Sequence, residues 1–153
     1  MTTASPLWAK GKVELDQAVQ RFCAADDVVL DRELFVHDIK GSIAHVNALA
    51  RALVLTVAER DLLAAELVQT GRDFMAGSFV LDDRFEDCHS AIEARLTERL
   101  GDLGKKVHTA RSRNDQVLTA LRLYVRAQLE RLVDVCLASS ERLLVRARAS
   151  AHV

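Results

Sequence analysis

Nine consecutive residues, His108, Thr109, Ala110, Arg111, Ser112, Arg113, Asn114, Asp115 and Gln116, hold the densest chemistry in the sequence. Hydroxyls, two guanidiniums and two carboxamides stand there just ahead of a strongly periodic segment. A helix start presents unpaired amides and the positive end of the helix dipole, so anions collect at it. Arginine adds two parallel hydrogen bonds to a carboxylate. A dicarboxylate ligand would suit such a junction. The same residues also fit a plainer arrangement, in which Ser112 caps the helix and the arginines pair with surface acids.

Two other clusters carry titratable groups. Glu86, Asp87, His89 and Glu93 share one periodic segment, where Asp87 could orient an imidazole or Glu93 could pair with His89 one turn away. His37 to His45 contains Asp38, Lys40, Gly41 and Ser42. Gly41 admits close approach of a ligand or of another helix. The acidic groups Asp26, Asp27 and Asp31, and Asp82 with Asp83, stand at expected helix starts, where the dipole alone accounts for them. They are read without a metal.

The elements that must position these groups are helical. Leu15, Val19, Phe22 and Cys23 predict a short helix over Glu14–Cys23, and Ala24–Val29 interrupts the pattern. Phe35, Ile39, Ile43, Val46, Ala50 and Leu53 predict a second helix over Asp31–Leu53. Thr56 with Glu59 forms a capping box that opens a third, for which Gly71 is the natural stop. Residues 72–82 read as a loop with one extended piece at Phe79, Val80 and Leu81. A fourth helix is expected from Asp83 to Gly101, with Phe85, Cys88, Ile92, Leu96 and Leu100 on its apolar stripe. After a polar connector, Leu118, Leu121, Val125, Leu129, Leu132, Cys136 and Leu143 mark one long helix from Ser112 to Ala147, on the order of 50 Å. The shorter helices cannot cover it, so its stripe is expected to complete its burial against segments missing here or against other subunits. The fold class is therefore all-α, short amphipathic helices followed by one long bundle helix, divided into 1–111 and 112–153.

Composition narrows the function classes. The 153 residues are half apolar, enough for a core without disulfides or metal, and their formal net charge is -1. That balance offers no field for nucleic acid or an anionic membrane, and Lys105 with Lys106 lacks interleaved aromatics for base stacking. Cys23, Cys88 and Cys136 lack paired spacing, and Cys88 directly beside His89 does not fit ordinary zinc-ligand spacing. Reduced thiols in a cytoplasmic protein are expected. No apolar run approaches a membrane span.

His108–Gln116 resembles the His-Thr-Gly-Arg-Ser-Arg-Asn-Asp-Gln signature of argininosuccinate lyases in eight of nine positions. His37–His45 is similar to that family's Asp-Ile-x-Gly-Ser-x-Ala-His segment, and Glu86–Leu96 to its Glu-Asp-x-His-x-x-x-Glu-x-Arg-Leu segment. Leu7 and Trp8 stand where the family usually begins. Three ordered motifs over essentially the whole chain are specific.

The resemblance implies a homotetramer with a central helical bundle and active sites shared among three subunits. It implies reversible anti elimination of argininosuccinate to arginine and fumarate, with no metal or organic cofactor. Carried over, Asn114 and Arg113 meet the substrate, and Thr109, Arg111 and Ser112 shape the same loop. Asp27 aligns loosely with a substrate-site serine. Asp87 and His89 take supporting roles, because the family's principal acid and base lie in Thr-His-Leu-Gln and Ser-Ser-x-Met-Pro-x-Lys segments that do not occur here. The chain alone is thus expected to be inactive. Two departures stand out: Trp8, Ala9, Lys10, Gly11 and Lys12 replace Trp-Gly-Gly-Arg-Phe, and Ala110 replaces glycine, a strained choice if φ is positive there. The alternatives are a lyase of the same superfamily acting on adenylosuccinate or aspartate, or a helical assembly chain without catalysis.

Overall fold

The computed structural model describes residues 17–151. The readings at Leu7 to Lys12 and the first turn of the helix expected from Glu14 lie outside the described residues. Among those described, five helices and no strand occur: α1 (Gln17–Arg51), α2 (Val57–Met75), α3 (Cys88–Leu100), the single turn α4 (Asp102–Lys105), a 3-10 turn (Lys106–His108) and α5 (Arg113–Ala149).

The break expected over Ala24–Val29 does not occur, and α1 runs through it. Nothing in that stretch stops a helix: it has no Gly or Pro, and Val28 continues the buried face that Phe35, Ile39, Val46 and Leu49 extend. Asp31 therefore lies inside a helix and not at its start.

The capping box opens α2 as expected, Thr56 Oγ1 accepting the Glu59 N–H while the Glu59 carboxylate accepts the Thr56 N–H. Its end is later than Gly71. That glycine faces Ile39 of α1, its missing Cβ leaving room at 3.5 Å, and the chain turns at Gly77, where φ is +74°.

The piece expected to be extended forms no strand: Phe79 lies in a bend, and Val80 and Leu81 belong to no regular element. Phe79 packs on Phe35, whose ring stacks on Phe74 with centroids 4.0 Å apart, and the Arg32 guanidinium donates to the Leu81 carbonyl at 3.1 Å. The helix expected from Asp83 begins five residues later, because Asp87 is extended (φ -162°) and caps it through a reciprocal pair with Ser90. Burial of Leu63, Leu67, Cys88, Ile92 and Leu96 against α1 closes one core among α1, α2 and α3.

α5 matches its expected span. Only Gln116 and Ala120 on it are buried, and every residue from Gln128 to Ala151 is exposed. Gly41 is settled by helix packing: a Cβ there would sit 3.2 Å from Thr119 Cγ2, so the glycine lets the start of α5 cross α1 closely. His37 adds an edge-on contact with Tyr124. No helix among the described residues is long and apolar enough to cross a membrane.

Candidate functional site

The loop before α5 is delivered by α3. Gly104 lies against the α3 backbone so tightly that a Cβ would fall 2.3 Å from the Leu96 carbonyl carbon. This fixes α4 and the 3-10 turn, and Val107 is buried beneath them. From there the loop is tied at Thr109 and at Arg111. The His45 ring donates through Nε2 to the Thr109 carbonyl at 2.9 Å. Ala110 has φ +59°, the left-handed conformation whose strain its replacement of glycine implied. Arg111 Nη2 donates to the Val107 carbonyl at 2.9 Å and to Ser42 Oγ on α1 at 3.3 Å.

Ser112 is the N-cap of α5. Its Oγ accepts the Asp115 N–H at 3.3 Å, while Asp115 Oδ2 accepts the Ser112 N–H at 2.8 Å. Those bonds from Ser112 hold the Asp115 carboxyl below its ordinary range. The plainer reading of Ser112 is thus realised. It leaves the anion-binding reading intact, because the earliest amides of a helix have no intrahelical acceptor.

Arg113, the first residue of α5, places its guanidinium on the Asp87 carboxylate. Asp87 holds it while also accepting the Ser90 N–H at 2.7 Å. So Asp87 does not orient an imidazole, as its position two residues before His89 allowed. The partner of His89 is Asp38 of α1, with Nδ1 2.9 Å from Oδ2 and both side chains about 98 to 99 % buried. Nor does Glu93 take His89; it faces His108 instead, at 3.8 Å. Successive helical residues point in different directions, and α1 lies on the side to which His89 points.

Beside this pair the Cys88 N–H donates to Asp31 Oδ2 at 2.9 Å. Burial, with Asp31, Asp38 and Asp87 nearby, pushes the Cys88 thiol far above its ordinary value. Arg111 is half-buried, and desolvation lowers its pKa against the opposing pull of Asp38, Glu93 and Asp115. A guanidinium still stays charged there. His45 is lowered too, by burial first and then by Arg111 and His108, with the Thr109 carbonyl opposing.

The three segments singled out in the sequence therefore meet at one corner, through Asp38 with His89, Ser42 with Arg111 and Asp87 with Arg113. Asn114 is exposed on the first turn of α5 and Thr109 is exposed on the loop. Asp27 is exposed on α1, one turn before Asp31. Composition and spacing did not single out Asp31, Asp38 or His45 as individual site residues. Their signal was the shared segment 37–45 and, for Asp31, a helix face that becomes readable only once α1 is continuous. Chemically the corner offers Arg113, Asn114 and the start of α5 as donors to an anion at an accessible rim, above a buried layer of carboxylates and imidazole.

Residues 10–153 match the family model described as Lyase. The chain is 50% identical over 147 residues to an argininosuccinate lyase of Xanthomonas oryzae pv. oryzae, covering 96% of this chain and 34% of that protein. It is 50% identical over 146 residues to an argininosuccinate lyase of Stenotrophomonas maltophilia, covering 95% and 34%. With one from Xylella fastidiosa the identity is 48% over 154 residues, covering 99% and 35%. The chain thus spans about a third of the length of the curated relatives it matches. With its helical architecture and the match over residues 10–153, the chain belongs to the lyase family.

Proposed function

We propose that the chain supplies the first part of an argininosuccinate lyase and carries substrate contacts for the reversible anti elimination of argininosuccinate to arginine and fumarate in arginine biosynthesis. The observation that carries the reading is the 50% identity to argininosuccinate lyases over 96% of the chain, with the signature loop at the start of a long helix. In that elimination a base takes a proton beside a carboxylate. Negative charge then builds on the carboxylate before the guanidino group leaves. Donors fixed in advance stabilise such charge most effectively.

Arg113, Asn114 and the first amides of α5 are the donors of this reading. Arg113 rests on the Asp87 carboxylate, which marks it as a site for the substrate carboxylate. Arg111, Ser112 and Thr109 keep the loop in shape, and Asp87 and His89 act in support. The principal acid and base belong to Thr-His-Leu-Gln and Ser-Ser-x-Met-Pro-x-Lys segments, which are not among the 153 residues. No step calls on a cofactor. The exposed apolar stripe of α5 supports assembly into a homotetrameric bundle of long helices, with 1–111 as the domain that packs beside it. Cytoplasmic residence accords with the reaction.

The test is the rise in fumarate absorbance on adding argininosuccinate, for the chain alone and for the chain mixed with the carboxy-terminal two-thirds of the Xanthomonas oryzae relative. Activity is expected only in the mixture, and Asn114→Ala should lower it at least tenfold. Silence in a mixture shown to be folded and associated would sink the reading. Activity from the chain alone would overturn its division of labour.

A further inference from the structure

Behind the Arg113 rim, α1 and α3 bring together an acid, a thiol and an imidazole that the elimination does not use as a set. We propose that Asp31, Cys88 and His89 bind one thiophilic divalent cation of the Zn2+ type.

One ligand atom from each of Asp31, Cys88 and His89 lies within 4.8 Å of the others. Cys88 and His89 are fully buried and Asp31 is half-buried, which leaves an entry from the Asp31 side. A tetrahedral zinc holds such ligands roughly 3.3 to 3.6 Å apart, so the cluster closes on an ion with about an ångström of side-chain adjustment. A sulfur, a nitrogen and carboxylate oxygens together select a borderline-soft ion over calcium or magnesium.

Two features of His89 suit a metal-binding side chain. Its Nε2 has no hydrogen-bond partner among the described residues, although the ring is about 99 % buried. A buried imidazole nitrogen without a partner is costly and rare. Its Nδ1 lies 2.9 Å from Asp38 Oδ2, yet the two are not aligned for a hydrogen bond. A carboxylate against Nδ1 holds the ring in place and leaves Nε2 as the nitrogen for an ion. Asp31 is also held in place, since its Oδ2 takes the Cys88 N–H and leaves the other oxygen for an ion.

The sequence expectation of no metal rested on spacing along the chain, where Cys88 and His89 are neighbours. The third ligand comes from 57 residues earlier, which local spacing cannot show. On binding, the Cys88 S–H bond breaks, sulfur bonds to the metal and the proton goes to solvent. The ion then clamps the first turn of α3 to the middle of α1.

The experiment titrates Co2+ into the full chain carrying Cys23→Ser and Cys136→Ser, so that Cys88 is the only thiol. A saturable thiolate-to-cobalt charge-transfer band at one equivalent is expected, reversed by Zn2+, with Zn2+ also raising the melting temperature. Adding Asp31→Asn should weaken Co2+ binding at least tenfold, and adding Cys88→Ser should abolish the band. Absence of a saturable band in the chain whose only thiol is Cys88 overturns the proposal, and that chain decides the matter even if Cys88→Ser fails to fold. A band that survives Cys88→Ser overturns it equally.

Discussion

The corner where α1, α3 and the start of α5 meet and the distal part of α5 are built on opposite terms. In the corner, polar side chains are buried and reach across the sequence: Ser42 to Arg111, Asp38 to His89, Asp31 to Cys88. Along distal α5 the side-chain bonds stay local, as when Arg126 donates to Glu130 at 2.9 Å or Ser140 Oγ to the Cys136 carbonyl. Leu129, Leu132, Val133, Leu143 and Leu144 are all more than half exposed there. A helix gains most of its stability from packing its apolar face. The corner is closed by contacts within the chain, whereas the distal helix leaves its apolar face exposed.

Substitutions should separate the two regions sharply. The largest effect is expected from Asp38→Ala, which strips the buried His89 of its carboxylate and leaves Ser42 without that partner; about 3 kcal/mol of stability should be lost in urea denaturation. Gly104→Ala comes next. Its Cβ would collide with backbone and not with a flexible side chain, so α4 must shift away from α3 at a cost of about 2 kcal/mol, read as a lower melting temperature. Ala110→Gly has the opposite sign. Relieving the positive φ should stabilise the chain by about 1 kcal/mol, and a loss would show that the loop does not hold that conformation.

Acid should loosen the corner through His45. Its folded pKa lies below the ordinary 6.5, so the unfolded chain takes the proton first. The stabilisation is complete above 6.5 and is lost as pH falls toward the folded value. Comparing urea midpoints on either side of pH 6.5 should show a drop that His45→Gln removes. Glu59 behaves similarly at lower pH, since Lys106 and Thr56 hold it at about 2 against an ordinary 4.5: its contribution is intact above 4.5 and fades toward 2. The smallest effects belong to α5. Leu132→Glu should change the stability of the chain by no more than about 0.5 kcal/mol. It should nonetheless abolish concentration-dependent association in sedimentation velocity, a response no corner variant that remains folded should share.

The same contrast explains what could be read in the sequence. Features set by neighbours along the chain were legible: the all-helical class, the capping box at Thr56 and Glu59, Ser112 as a cap and the span of α5. Those set by packing were not. The lapse at Ala24–Val29 hid a continuous α1 because periodicity weakens where, among the described side chains of the stretch, only Val28 is buried. Gly71 read as a stop because its contact with Ile39 is tertiary. His89 was singled out, but its partner Asp38 lies on another helix, and Glu93 was the nearer acid along the chain. The family resemblance marked the three segments without saying which side chains join them.

Hydrogen exchange on the chain at low concentration tests the central contrast most directly. Slow exchange is expected for amides of α1 from Asp38 to Val46 and of α3 from Ala91 to Leu96, with fast exchange from Gln128 to Ala149. Equal protection of distal α5, independent of concentration, would contradict the claim that the corner is held by its own contacts while the distal helix has none to protect it.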